Sequence, residues 1–179
     1  MARISASEKL WQAHSRSCFQ DRLMPYAYWI EAVSDRQHHE HRRVLTQSVA
    51  MLTGGDFVRL LGERQFVKLW QALREDVEDE RTAVRQGRII LDGLWSAIMT
   101  GFAFGHLAVN LDKPMSTQLR ATYLAICQHA VRNIYQVARD MNRPYSRVYG
   151  DVKKLQSAGL VKALSSSQAG RKVTLLSMA

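Results

Sequence analysis

The stretch Val137-Ala-Arg-Asp-Met-Asn-Arg-Pro-Tyr-Ser-Arg-Val-Tyr-Gly-Asp-Val-Lys-Lys-Leu-Gln-Ser-Ala-Gly-Leu-Val161 has the apolar spacing of two short helices joined by a tight turn. Ile134, Val137, Ala138 and Met141 supply the buried side of the first helix, and Asn133 followed by Gln136 has the spacing of a reciprocal cap at its start. Asn142 suits the left-handed conformation that ends a helix, and Pro144 suits the first turn of the next, so Met141-Asn-Arg-Pro144 reads as the connection. Over residues 145–158 the core positions are Val148, Val152 and Leu155, and Gly159 ends the helix. The opposite face holds Ser146, Gly150, Lys153 and Ser157, flanked by Arg147 and Lys154 on one edge and Tyr149 on the other.

Residues 116–130 place Leu119, Tyr123, Ile126 and Ala130 on one helical face, which predicts a helix before the pair. Residues 161–164 and 171–176 are strand-like and are joined by the polar, glycine-containing segment 165–170, which predicts a two-stranded wing. Three helices and a hairpin in this order make a winged helix-turn-helix. Its third helix has the chemistry of a groove reader. Ser146 and Arg147 lie near the N-terminus, where such helices meet base edges, Gly150 leaves room for close approach, and Lys153 and Lys154 suit phosphates. Arg143, Tyr145 and Tyr149 complete the expected contact set on the helices, and Arg171 and Lys172 extend it along the wing toward the backbone or the neighbouring minor groove.

Charge agrees with this placement. The 179-residue chain carries a formal net charge of +9, but residues 1–112 have 14 basic and 14 acidic side chains, whereas residues 113–179 have 11 basic ones against Asp140 and Asp151 alone. Charge confined to one small domain is the footprint of contact with a polyanion, here double-stranded DNA. The composition changes around Pro114, so the expected organisation is a helical domain over 1–112 and a winged helix over 113–179.

The N-terminal region has no alternating strand pattern. Its helical stretches are predicted near 7–19, 25–34, 39–52, 56–75, 79–91 and 93–109, with a loop at Gly54-Gly55 and Asp56 as a cap. Residues 93–111 contain no Asp, Glu, Lys or Arg and nearly reach the length of a bilayer span. Glycine and asparagine breaks, His106 and the preceding Asp92 favour a buried helix instead, with Gly101 and Gly105 packing against a second copy in a homodimer. No membrane association is expected. The cysteines are Cys18 and Cys127, and the start lacks an apolar run, so a reduced, cytoplasmic protein is expected.

Two arrangements invite a metal: His14 with Cys18 at i, i+4, and His38 with His41. Both lack a Cys-x-x-Cys or His-Glu-x-x-His order, and Arg36, Arg42 and Arg43 around the histidines point to a solvated face, so no metal or other cofactor is expected. Aromatic residues such as Trp11, Trp29, Phe57, Phe66 and Trp70 are either core or the lining of a small-molecule effector pocket. No nucleophile elbow, phosphate loop or paired catalytic carboxylates are present, which argues against an enzyme.

The helix-turn-helix stretch with its Leu155 to Gly159-Leu160-Val161 ending resembles the winged helix of MarR-type regulators, over residues 115–179. The resemblance implies a transcriptional regulator that binds duplex DNA as a dimer. In that family the winged helix lies between dimerisation helices, whereas this sequence ends beyond the wing, so the dimer contact is expected from the N-terminal helices. The segment Ala169-Gly170-Arg171 stands where the family commonly has an acidic residue two places before the arginine. Arg88-Ile-Ile-Leu-Asp-Gly-Leu-Trp95 is similar to the C-terminal dimer-forming helices of some TetR-type regulators. Two alternatives stand beside the regulator: an accessory DNA-binding protein of plasmid or phage replication or partition, and a winged helix that binds other proteins.

Overall fold

The structure, a computed structural model, describes residues 5–19, 23–78, 81–128, 132–168 and 171–178, with backbone alone described at 132, 164–168, 171–174 and 178. It is mainly helical and falls into two compact units, Met1–Trp95 and Ser96–Ala179.

Among its described residues the first unit has helices and no strand: α1 (Ala6–Cys18), α2 (Tyr26–Ser34), α3 (His41–Met51), α4 (Gly54–Leu61), α5 (Glu63–Asp76) and most of α6 (Thr82–Met99). A reciprocal cap starts α1: the Ser5 hydroxyl accepts from the Glu8 amide at 3.1 Å, and the Glu8 carboxylate accepts from the Ser5 amide at 2.8 Å. Aromatic rings form its centre. Trp11 and Trp29 lie 5.0 Å apart, Trp29 meets Phe57 edge-on at 6.1 Å, and Phe57 continues to Trp70 at 6.0 Å. Burying an indole requires a partner for its N–H. Trp11 donates to the Met24 carbonyl at 2.6 Å, Trp29 to the Ser48 hydroxyl at 2.8 Å and Trp70 to Asp92 at 2.9 Å. These aromatics are therefore core.

Glycines account for the differences from the predicted helix boundaries. The predicted helix over 56–75 is two helices, because Gly62 takes φ +87°, open to glycine and strained for other residues. Gly54 and Gly55 are the first turn of α4 and not a loop. Thr53 caps that turn through its hydroxyl, which accepts from the Asp56 amide at 3.1 Å. A Cβ on Gly54 would lie 2.6 Å from Ile90 Cγ2, and one on Gly87 would lie 2.0 Å from the Val49 carbonyl oxygen, so these are the positions where close helix approach demands glycine. Gly93 interrupts nothing. Helix α6 runs through it to Met99, and the break comes at Gly101, with φ +98°. A side chain at Gly101 or Gly105 would meet nothing within 4 Å in this chain. No helix among the described residues is long and apolar enough to cross a membrane.

The second unit contains α7 (Phe104–Leu111), α8 (Thr117–Cys127), β1 (Arg132–Asn133), α9 (Ile134–Asp140), α10 (Tyr145–Ser157), β2 (Val161–Gln168) and β3 (Arg171–Met178). The strands form an antiparallel sheet in the order β1-β3-β2. Val161 pairs with Met178 and Gln168 with Arg171, which carries β2 four residues further than the predicted strand, through Ser165–Gln168. Those serines have weak strand propensity, and the pairing with β3 holds them. Ser116 caps α8 by accepting from the Leu119 amide at 3.2 Å. The predicted core position Ala130 lies outside the described residues. Tyr123, Ile126, Val137, Val148, Leu155 and Leu176 are fully buried at the centre of the unit. Asn110 at the end of α7 donates to the Tyr123 hydroxyl at 2.8 Å, which joins α7 to α8.

Candidate nucleic-acid interface

The helix-turn-helix is built as its sequence dictates. Asn133 caps α9 by accepting from the Tyr135 amide at 2.8 Å, while its own amide donates to the Gln136 side chain at 3.2 Å. Asn142 takes φ +48°, and the Arg143 amide then closes back on the Ala138 carbonyl at 2.9 Å. Pro144 stands just ahead of α10, and Gly159 at φ +68° ends the helix region, folding Leu160 back into the core. With Val148, Val152 and Leu155 turned inward, Ser146, Arg147, Lys153 and Lys154 are exposed, and a Cβ on the half-buried Gly150 would meet nothing within 4 Å. An exposed helix face with glycine near its centre and cations beside it has the charge suited to a major groove.

Arg143 sits elsewhere than on that outer face. Its guanidinium Nη1 donates to Asp151 on α10 at 2.9 Å and to the Thr122 hydroxyl on α8 at 2.9 Å. The Thr122 hydroxyl also reaches Asp151 at 3.0 Å, and the side chains of Arg143 and Asp151 are 21% and 14% exposed. This network ties the turn, α8 and α10 together by charge-assisted hydrogen bonds. It also turns the carboxylate of α10 inward. Asp140, the other acidic residue of the segment, lies 3.5 Å from Arg139.

Along the other edge of α10 runs an aromatic column. The Tyr135 and Tyr145 rings stack at 4.4 Å and 18°, the Tyr145 and Tyr149 rings at 5.9 Å and 29°, and the Lys153 ammonium lies 5.5 Å from the centroid of Tyr149. Tyr135 is 66% exposed, Tyr145 39% and Tyr149 42%. Partial burial, with the neighbouring phenols, raises the Tyr145 hydroxyl above its ordinary pKa. Sequence reasoning missed Tyr135, whose place in the column depends on the turn folding α9 against α10. Arg171 and Lys172 open β3, opposite Gln168 and Ser167, and their side chains lie outside the described residues.

Residues 120–174 match the family described as Sugar-specific transcriptional regulator TrmB. The match runs from α8 into β3, so it covers the helix-turn-helix and the wing and leaves the N-terminal helices outside. It supports a winged-helix regulator of transcription without singling out the MarR type. Neither a curated protein nor a solved structure matches the chain.

The metal candidates are placed otherwise. His14 Nε2 lies 3.3 Å from Asp56, and Cys18 is buried, its thiol pushed up to about 11 by that burial. His38 stacks on His39 at 4.6 Å and meets Tyr28 edge-on at 5.1 Å. His41 is buried, with Nδ1 donating to the Ala32 carbonyl at 2.8 Å and Nε2 3.4 Å from Asp76. Among the described residues, no three or more His, Cys, Asp or Glu side chains gather as a metal ion would need. His38 and His41 instead border a surface cleft of about 630 Å³ with Arg42, Thr46, Gln47 and Arg81.

Proposed function

We propose that this chain is a sequence-specific regulator of transcription that binds double-stranded DNA as a homodimer, with α10 in the major groove and the β2–β3 wing along the backbone. One observation carries the proposal. In a segment with 11 basic residues, Asp151 is drawn inward by Arg143 and Thr122, and α10 presents Arg147, Lys153 and Lys154 outward. Such a surface is matched to phosphates flanking a groove. Selection from a random-sequence duplex library, followed by footprinting on the DNA upstream of its own gene, tests it. Enrichment of a common motif is expected, and recovery of unselected sequence overturns it. A protein-docking winged helix gives that second result. Mapping of bound sites in cells separates a promoter regulator from a replication or partition accessory.

The dimer contact and any effector site belong to this proposal. Met99 and Val109 are 56% and 66% exposed, apolar side chains that a second copy would cover. Val109→Glu should shift the chain toward monomer in sedimentation. Gly101 is unsuitable for this test, because its positive φ would strain any replacement. The cleft beside Arg42 and Arg81 favours an anionic small molecule over a neutral one.

A further inference from the structure

We propose that the Tyr135–Tyr145–Tyr149 column is a thymine-reading strip, which selects DNA sites through the 5-methyl groups exposed in the major groove. The inference rests on the DNA-binding proposal and names what that site recognises. The column is the aromatic feature of the exposed helix-turn-helix surface, and it lies beside the cationic face of α10, one edge over from Ser146 and Gly150. A helix that buries this face in a groove must also desolvate the rings.

The chemistry of the groove then restricts the choice of base pair. Guanine, cytosine and adenine present only hydrogen-bonding groups along the major-groove edge, and thymine alone adds an apolar one, its C5-methyl. A tyrosine ring set against a guanine or cytosine edge would strip water from polar groups and return no hydrogen bond from its face. Against a thymine methyl the same contact removes apolar surface from water on both sides.

The stacking makes the strip rigid before it binds. Tyr145 is held between Tyr135 and Tyr149, and Lys153 lies over the Tyr149 ring. Freezing three loose tyrosines on association would cost rotamer entropy that this column has already given up on folding. Tyr135, from a different helix, acts as the positioning residue of the set, and Tyr145 and Tyr149 make the contacts.

The test alters the DNA before it alters the protein. Sites enriched by the full chain from a random duplex library are resynthesised with deoxyuridine in place of thymidine, one position at a time, which deletes a methyl and keeps every hydrogen-bonding group. Loss of one contacted methyl should weaken binding about fourfold, and loss of two about tenfold or more. Tyr149→Ala and Tyr145→Ala should each bind thymine and uracil alike at the position that the lost ring contacts, Tyr149→Phe should keep the discrimination, and Tyr135→Ala should reduce it. Circular dichroism checks that the variants stay folded. A strongly enriched motif that lacks thymine, or one whose affinity is indifferent to uracil at every position, overturns the inference and leaves DNA binding standing. Failure to enrich any motif overturns the DNA-binding proposal and the inference with it.

Discussion

Replacing Arg143 with methionine separates a bracing role from a DNA contact. The guanidinium makes two hydrogen bonds of 2.9 Å, to Asp151 and to Thr122, in a pair whose side chains are 21% and 14% exposed. Exposed pairs are worth about 0–1 kcal/mol, and removing one partner from a fully buried pair costs about 3–5 kcal/mol. At this exposure the loss should fall between the two, at about 2–3 kcal/mol. For a chain of this length that corresponds to a thermal midpoint lower by about 4–12 °C. Methionine keeps the aliphatic stem, so most of the loss comes from stranding the Asp151 carboxylate with the Thr122 hydroxyl alone. Asp151→Asn in the same chain removes the stranded charge and should restore part of the stability, giving a coupling of about 1–3 kcal/mol in the double-mutant cycle. Calorimetry of the four proteins measures it. Coupling below about 0.5 kcal/mol, with the salt dependence of DNA binding reduced by about one phosphate, would place Arg143 on the nucleic acid and refute the bracing role.

Arg147→Ala should weaken binding to the selected site by about 1–3 kcal/mol and binding to random DNA less, because a base-edge contact carries discrimination; equal losses in a gel-shift comparison count against it. The Arg36 hydrogen bond, opposed by burial and aided by the charges of Arg36 and His41, holds the Asp76 carboxyl below its ordinary pKa. Its contribution to stability is complete above the unfolded value of about 3.9 and is lost as pH falls below it, so Asp76→Asn should flatten the acid end of the stability profile followed by circular dichroism. Burial pushes the Cys18 thiol up to about 11 and the Cys127 thiol up to about 12. Maleimide should therefore leave both unlabelled in the native chain at neutral pH and label both in denaturant; fast native labelling of either would contradict its burial.

The winged helix was largely legible because its signals are local. Asn133 with Gln136, Asn142 before Arg143-Pro144, and Gly159 each fix backbone within a few residues, and all appear in the structure as caps and positive φ. The glycines ahead of the winged helix were misread for a physical reason. A glycine is required either for its φ or for its missing Cβ, and the sequence does not distinguish the two. Gly62 and Gly101 serve the first need and end helices, whereas Gly54 and Gly87 serve the second against Ile90 and Val49, partners distant in the chain. The inward partners of Arg143 were hidden in the same way, since they include Thr122 on a different helix. Tyr135 joins Tyr145 only because the turn brings α9 back along α10.

These cases bear on what the basic segment is for. A surface that merely kept the domain soluble would gain from interleaved charges of both signs, since like charges in proximity cost self-repulsion. Here one of the two carboxylates is withdrawn into the fold by Arg143 and Thr122 and the other lies against Arg139, so cations dominate the outer side of α10. The same helix leaves two half-exposed tyrosines beside those cations, a further cost in an isolated molecule. Both costs are relieved by one kind of partner, which supplies anionic walls for Arg147, Lys153 and Lys154 and an apolar floor for the rings. Duplex DNA has that pairing of features in its major groove, with phosphates along the rim and thymine methyls between them. An acidic protein would satisfy the cations and leave the aromatic column to be covered separately. The nearness of the two features on α10 is therefore a further reason to propose a groove for that helix.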